Sequence, residues 1–359
     1  FFKLSDLGVI NILKHYEGFS ELRDIDFLTG GEREVGGQLR EAASRDPLRF
    51  LKLLNQYWPE IGNHFRSDIM SGIANFLSYR HRNLQKSSNW TPLHEVNDAE
   101  VVQHILHELE IHPLHWRDSS SASSVIEACA PLIENSRDAD RLVFLSLEFL
   151  NSKNDNPFTS ENADLMTTGI NMKRGHIAQA LMRLVVNLSK AKISFSDLLE
   201  SSLRRLAKDP HPAIRALILQ KLPYLQSLDP QLGWALFYLA QTNDMRGMWK
   251  YAEPCLYYSY SNNFDKVKPL LDYILKTGID SDLETWGRIS ALSALEGKVS
   301  LSDLLQQLTS INSNDAWRGS MAVWTSPHNI YRHRHYCFEG ITAAISIPSP
   351  DRSEERRVG

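Results

Sequence analysis

The stretch Arg174-Gly175-His176-Ile177-Ala178-Gln179-Ala180-Leu181-Met182-Arg183-Leu184-Val185-Val186-Asn187-Leu188 sets the fold class. Its residues Ile177, Leu181, Leu184, Val185 and Leu188 recur at i, i+4, i+7, i+8 and i+11, which lays one apolar stripe along an α-helix. Ile214, Leu217, Ile218 and Leu225 repeat the pattern, as do Val267, Leu270, Leu271, Ile274 and Leu275. Alternation of the kind a strand needs is confined to one weak run, Ile341 to Ile347. Helix starts are marked by Asp209-Pro210 and Asp229-Pro230, because a proline at the first helical position loses an N–H that would have no partner there. Ser281-x-x-Glu284 and Ser300-x-x-Asp303 read as capping boxes, and Gly278 as a helix stop.

Earlier in the chain, helices are expected over about 4–16, 37–56, 59–79, 98–111, 122–135 and 138–151. Gly30-Gly31 and Gly36-Gly37 are expected to bracket a polar loop, and 82–97 to form a surface loop. Asn151 to Pro157 reads as the clearest linker, dividing an irregular helical region (1–157) from a more regular one (158–347).

Spacing carries the architecture further. Arg174-Gly175, Arg215-Ala216, Arg246-Gly247, Trp286-Gly287 and Arg318-Gly319 each place a small residue after a large one, at intervals of 41, 31, 40 and 32 residues. Helix-pair repeats recur about every 34–47 residues. The expectation is therefore an all-α protein, an α-solenoid of antiparallel helix pairs with HEAT-like repeats. The small residues would let neighbouring helices close up, while Arg174, Arg215, Arg246 and Arg318 would reach an acid or carbonyl of the next repeat.

The 359 residues suffice for about two domains or one repeat array. With 42% hydrophobic residues the chain can bury a core. The net charge of −4 argues against a general nucleic-acid or membrane-surface binder, which would carry a basic excess. Cys129, Cys255 and Cys337 are too few and too scattered for a disulfide framework, and read as thiols of a reducing cytoplasm. No run of about 18 apolar residues is present to span a bilayer. The start at Phe1-Phe2-Lys3 reads as a cut from a longer protein, and 348–359 as a disordered tail with the look of a vector-derived sequence.

The sequence offers little for chemistry. The one Gly-Lys pair, Gly297-Lys298, is followed by Val299 and lacks the glycine a phosphate-binding loop needs. His107 and His112 are five residues apart and so leave a helix in different directions, whereas two zinc-protease histidines must share one face. His328, His333, His335 and Cys337 form the most metal-like cluster, but Arg332 and Arg334 beside them disfavour a cation. The same segment with Tyr331 and Tyr336 could stack on nucleic acid, and Arg204, Arg205 and Lys208 form a second basic patch. Trp249, Tyr251, Tyr257, Tyr258 and Tyr260 form an aromatic cluster that reads either as packing between repeats or as a partner hot spot. No catalytic residue, cofactor or metal ligand is assigned.

Several stretches carry a family resemblance. Gly169-Ile-Asn-Met-Lys-Arg174-Gly175-His-Ile-Ala-Gln-Ala-Leu181 and Asp209-Pro-His-Pro-Ala-Ile-Arg215-Ala216 resemble HEAT-like repeats. Together with Arg246-Gly-Met-Trp-Lys-Tyr-Ala-Glu-Pro-Cys-Leu-Tyr257-Tyr258 and Trp317-Arg318-Gly319-Ser-Met-Ala322, they are similar to the C-terminal helical-repeat region of large bacterial STAND-type ATP-binding proteins implicated in antiphage defence. The resemblance runs over roughly 165–340 and implies a non-catalytic ligand-sensing or scaffolding region, with the ATPase module lying N-terminal to it. It implies a protein ligand, or other domains of the same protein, as partner; self-association stays open. The alternative from another class is a freestanding HEAT-type nucleic-acid-binding or base-repair protein.

Overall fold

The computed structural model describes residues 1–18, 30–81, 90–151, 164–242 and 244–346. Among them every regular element is a helix, and none of these helices is long and apolar enough to cross a membrane. The chain divides into two compact units.

The first unit covers Phe1–Ile218 with Leu228–Pro230. It holds α1 (Asp6–Tyr16), α2 (Glu32–Arg45), α3 (Pro47–Gln56), α4 (Asn63–His81), α5 (Asp98–Ile111), the short α6 (Pro113–Trp116), α7 (Ser120–Cys129), α8 (Ser136–Leu150), α9 (Leu165–Ile170), α10 (Lys173–Ala191) and α11 (Asp197–Ala207). Two rows emerge. One runs α2, α4, α7, α10, each helix packed on the next; the other runs α3, α5, α8, α11. The core lies between the rows, where Phe50, Phe65, Ile69, Ile105, Val125, Leu142, Leu181 and Leu203 are removed from solvent.

Pro47 explains one departure from the sequence reading. The helix expected over 37–56 is two helices, because Pro47 has no N–H to continue α2 and Asp46 turns out of helical geometry (φ −139°, ψ 65°). Gly36 and Gly37 do not bracket a loop; they lie inside α2. Trp90, expected on a surface loop, is buried against Phe76 and Tyr79, and its indole N–H donates to Ser44 Oγ (3.1 Å). The linker at 151–157 falls almost wholly outside the described residues. The helices on either side of it belong to one unit: α8 packs on both α10 and α11. The division comes instead within α12 (Pro212–Leu228), which contributes to both units.

The second unit covers Leu219–Ser227 and the chain from Gln231 on. It holds most of α13 (Pro230–Ala240), then α14 (Trp249–Tyr257), α15 (Phe264–Thr277), α16 (Asp280–Leu295), α17 (Leu301–Ile311), α18 (Asn314–Trp324), α19 (Pro327–Arg332) and α20 (Arg334–Ser346). Here α14, α16, α18 and α20 form the continuous row. The run from Ile341 is helical, not extended. Ser300 caps α17 as expected, accepting from the Asp303 N–H. At α16 the reciprocal acid is Asp282, which accepts from the Ile279 N–H, so the start lies two residues earlier than Ser281–Glu284 implies. Asp209 caps no proline: it accepts from the His211 N–H (2.8 Å), and α12 starts at Pro212.

Close approach between row neighbours follows small residues. A Cβ on Gly72 of α4 would strike the Arg40 carbonyl of α2. On Gly287 of α16 it would strike the Ala316 carbonyl of α18, and on Gly319 of α18 the Glu284 carbonyl of α16. The pair Gly287–Gly319 thus lets two backbones touch from both sides, which side chains would hold apart. Ser320 Oγ spans the same seam, donating to the Gly287 carbonyl (3.0 Å).

Candidate functional site

The dipeptides singled out by spacing separate into three kinds. Arg174 and Arg318 do reach across. Arg174 Nη1 bonds both oxygens of Asp209 (3.2 and 3.0 Å), and Arg318 Nε donates to Glu284 of α16 (3.1 Å). Gly175 and Gly319 meet neighbouring backbone, Gly175 against the Gly169 carbonyl of α9. Arg215 is buried and turns back, donating to the carbonyls of Asp209 and Pro210 just before its own helix. Arg246 pairs with Asp244 two residues away on the surface. Gly247 opens no helix; it sits in a turn at φ +73°, where a Cβ would meet only Ile279 Cδ1 at 3.5 Å. Its link to α16 runs through its amide: Asp282, fully buried at the start of that helix, accepts from the N–H of Gly247 (2.8 Å), Trp249 (3.2 Å) and Ile279 (3.2 Å). Burial outweighs those three donors and pushes the Asp282 carboxyl above its ordinary value.

The aromatic cluster also divides. Trp249 and Tyr251 of α14 are core residues. Tyr257 and Tyr258 are exposed and meet edge to face (5.3 Å), and Tyr260, one turn on, is half-buried. The reason is geometric: α14 ends at Tyr257, and the chain past that point leaves the row.

Tyr257 and Tyr260 open onto a cavity of about 520 Å³ within the second unit. Its floor is Leu292 and Leu295 of α16 with Val323 of α18. Its far wall is α19 and the turn after it, which present His328, Arg332 and His333. Two motifs that the sequence offers separately, the tyrosines near 257 and the histidine–arginine segment near 330, therefore line one space. α19 is held in place by Asn329, whose amide donates to the Val323 carbonyl (2.9 Å). Burial, with Glu296 beside it, keeps the Tyr260 hydroxyl protonated to higher pH than an ordinary phenol.

Arg288, which also lines the cavity, belongs to a ladder of charges. Glu253 of α14 takes both its oxygens to Arg288 Nη1 (2.6 and 2.7 Å), and Arg288 Nη2 donates to Glu284 (2.7 Å), which also receives Arg318. Arg288 is thus neutralised by two carboxylates, whereas Arg332 on the opposite wall is paired with no carboxylate among the described residues. Chemically the cavity offers an apolar floor, two phenols, two imidazoles, the Glu296 carboxylate and the Arg332 guanidinium. That set suits an anchor residue of a protein ligand, since tyrosine and arginine carry most of the energy at such contacts.

Elsewhere, the histidines near 107 and 333 gather no metal set: among the described residues no three His, Cys, Asp or Glu side chains converge. Cys129, Cys255 and Cys337 are buried, and burial pushes all three thiols up. Arg204 pairs with Glu200 and Arg205 donates to the Leu150 carbonyl, so these two members of that basic patch are already engaged.

One constellation escaped the sequence. Ser124 Oγ of α7 lies 3.4 Å from His176 Nε2 of α10, and His176 Nδ1 lies 2.6 Å from Glu127 Oε2, a serine–histidine–carboxylate order. Ser124 is inside a helix, whose interior amides bond helix carbonyls and so are not aimed at an oxyanion. With Arg183 also on Glu127 (3.0 Å), the set ties α7 to α10 as the Arg288 ladder ties α14 to α16. No local spacing signals it, because the partners come from α7 and α10, about 50 residues apart in the chain.

Compared with family models, curated proteins and solved structures, the chain matches none.

Proposed function

We propose that this chain is a ligand-sensing or scaffolding helical-repeat region of a larger bacterial NTPase, of the kind implicated in phage defence, and that it acts by recognition and not by catalysis. The cavity walled by Tyr257, Tyr260, His328, Arg332 and His333 carries the recognition half of this reading: aromatic and cationic groups from separate helices converge on an apolar floor, and among the described residues Arg332 forms no ion pair. Stacked helix pairs suit such a role, because each repeat adds surface while contacting only its neighbours. The NTPase half rests on the family resemblance of residues 165–340.

The test places Tyr257→Ala, Tyr260→Ala and Arg332→Glu in the intact gene that encodes this chain and challenges cells with a phage panel. Loss of restriction with all three, and its retention with Arg246→Ala, supports the reading; restriction unaffected by all three overturns it. A fluorescent single-stranded oligonucleotide titrated into the purified chain gives the nucleic-acid alternative its own arm: binding that Arg332→Glu abolishes would favour that alternative.

A further inference from the structure

Glu108 is the most deeply placed carboxylate of the first unit, with none of its surface exposed, and the recognition site makes no use of it. It lies on α5 behind a ring cluster. Trp58 is sandwiched between the parallel ring of His112 (3.5 Å) and the guanidinium of Arg66 (4.0 Å); His115 and Trp116 stand edge-on to it. Trp116 Nε1–H donates to Glu108 Oε1 (3.2 Å). Arg66 donates to the Trp58 carbonyl (2.6 Å) and to Asn63 (3.0 Å). Three polar atoms of this cluster are buried with no hydrogen-bond partner: Glu108 Oε2, Arg66 Nε and His115 Nε2. Orphaned buried atoms are costly and rare, so three in one joint single it out.

The joint lies where α6 follows α5, and its other members are Arg66 of α4 and Trp58 of the turn before α4. Among the described residues Arg66 of α4 is the charged group that acts on Glu108, and Glu17, following α1, acts on Arg66 in turn. His112 and His115 are held below the ordinary imidazole range by burial and then by Arg66. On α8, Arg141 is taken by Glu110 and Asp138; on α7, Glu127 is taken by His176 and Arg183. On α3, Arg49 pairs with Asp6 and Lys52 is exposed, as is His107 on α5 itself.

We propose that Glu108 is a proton-operated latch. Protonated, it sits as a neutral acid in the buried joint and α6 stays docked. Ionised, the buried carboxylate competes with Trp58 and Asn63 for Arg66, and the corner between α5 and α6 loosens. Burial pushes the Glu108 carboxyl from its ordinary 4.5 up to about 7. A carboxyl raised on folding stabilises the folded joint fully below about pH 4.5, and that contribution is lost as pH rises through about 7.

Two measurements on the whole chain test this. The Trp116 indole N–H resonance, assigned with Trp116→Phe, should titrate with a midpoint near 7 in the unmodified protein and not at all in Glu108→Gln. Amide protection of α5 and α6, corrected for intrinsic exchange, should fall roughly tenfold between pH 6 and pH 8 in the unmodified protein and stay level in Glu108→Gln. An indole midpoint below 5, a flat indole titration, or protection that does not change with pH would overturn the latch. If Glu108→Gln does not fold, the unmodified protein's titration and protection decide alone.

Discussion

Arg246-Gly247 and Arg318-Gly319 are the same dipeptide, and the structure uses them in opposite ways. Gly319 lies in the middle of α18, where the Glu284 carbonyl of α16 leaves no room for a Cβ, and Arg318 beside it reaches that same residue's carboxylate. Gly247 lies in a turn with space around it; what it supplies is a positive φ and a free-standing N–H for Asp282, while Arg246 folds back on Asp244. A small residue after a large one therefore marks helix contact only inside an apolar periodic run. Trp317 to Trp324 is such a run, and Asp244 to Met248 is not.

Substitutions can break or sharpen this contrast. Gly319→Leu should have the largest effect, about 3 kcal/mol of lost stability in a denaturant titration, because the added side chain meets backbone that cannot swing aside. Arg288→Ala comes next, at about 1.5 kcal/mol, since it strips the charge-assisted bonds from the half-buried Glu253. Gly247→Ala should cost about 1 kcal/mol from left-handed strain alone. Gly297→Ala, at φ +70° with open space, should cost the same, which separates strain from crowding. Arg246→Ala should leave the unfolding midpoint unchanged, as an exposed pair two residues apart contributes little. A Gly247→Leu variant as unstable as Gly319→Leu would erase the distinction.

Much of the fold was legible because it is local. The stripe from Ile177 to Leu188 needs only helical periodicity, and it is buried as read. Pro47 could have been read as a break, since proline after aspartate signals a helix start. The all-helical character follows from such runs; the HEAT-like repeat type rests on spacing and resemblance. The site was half legible. Tyr257, Tyr260, His328 and Arg332 were each conspicuous, but that they share one cavity depends on how α14, α16, α18 and α19 stack, which no local pattern encodes. The Glu108 joint left less trace still. Trp58, Arg66 and His112 come from three separate elements, and a glutamate on an amphipathic helix gives no sign of facing inward.

The central claim is that stability in this chain is carried by contacts between neighbouring helices of a row. Hydrogen exchange on Gly319→Leu tests it most directly. A row of nearest neighbours predicts faster exchange confined to α16, α18 and α20, with α2 to α11 exchanging as in the unmodified protein. A uniform loss of protection across both units would contradict it and show one cooperative core instead.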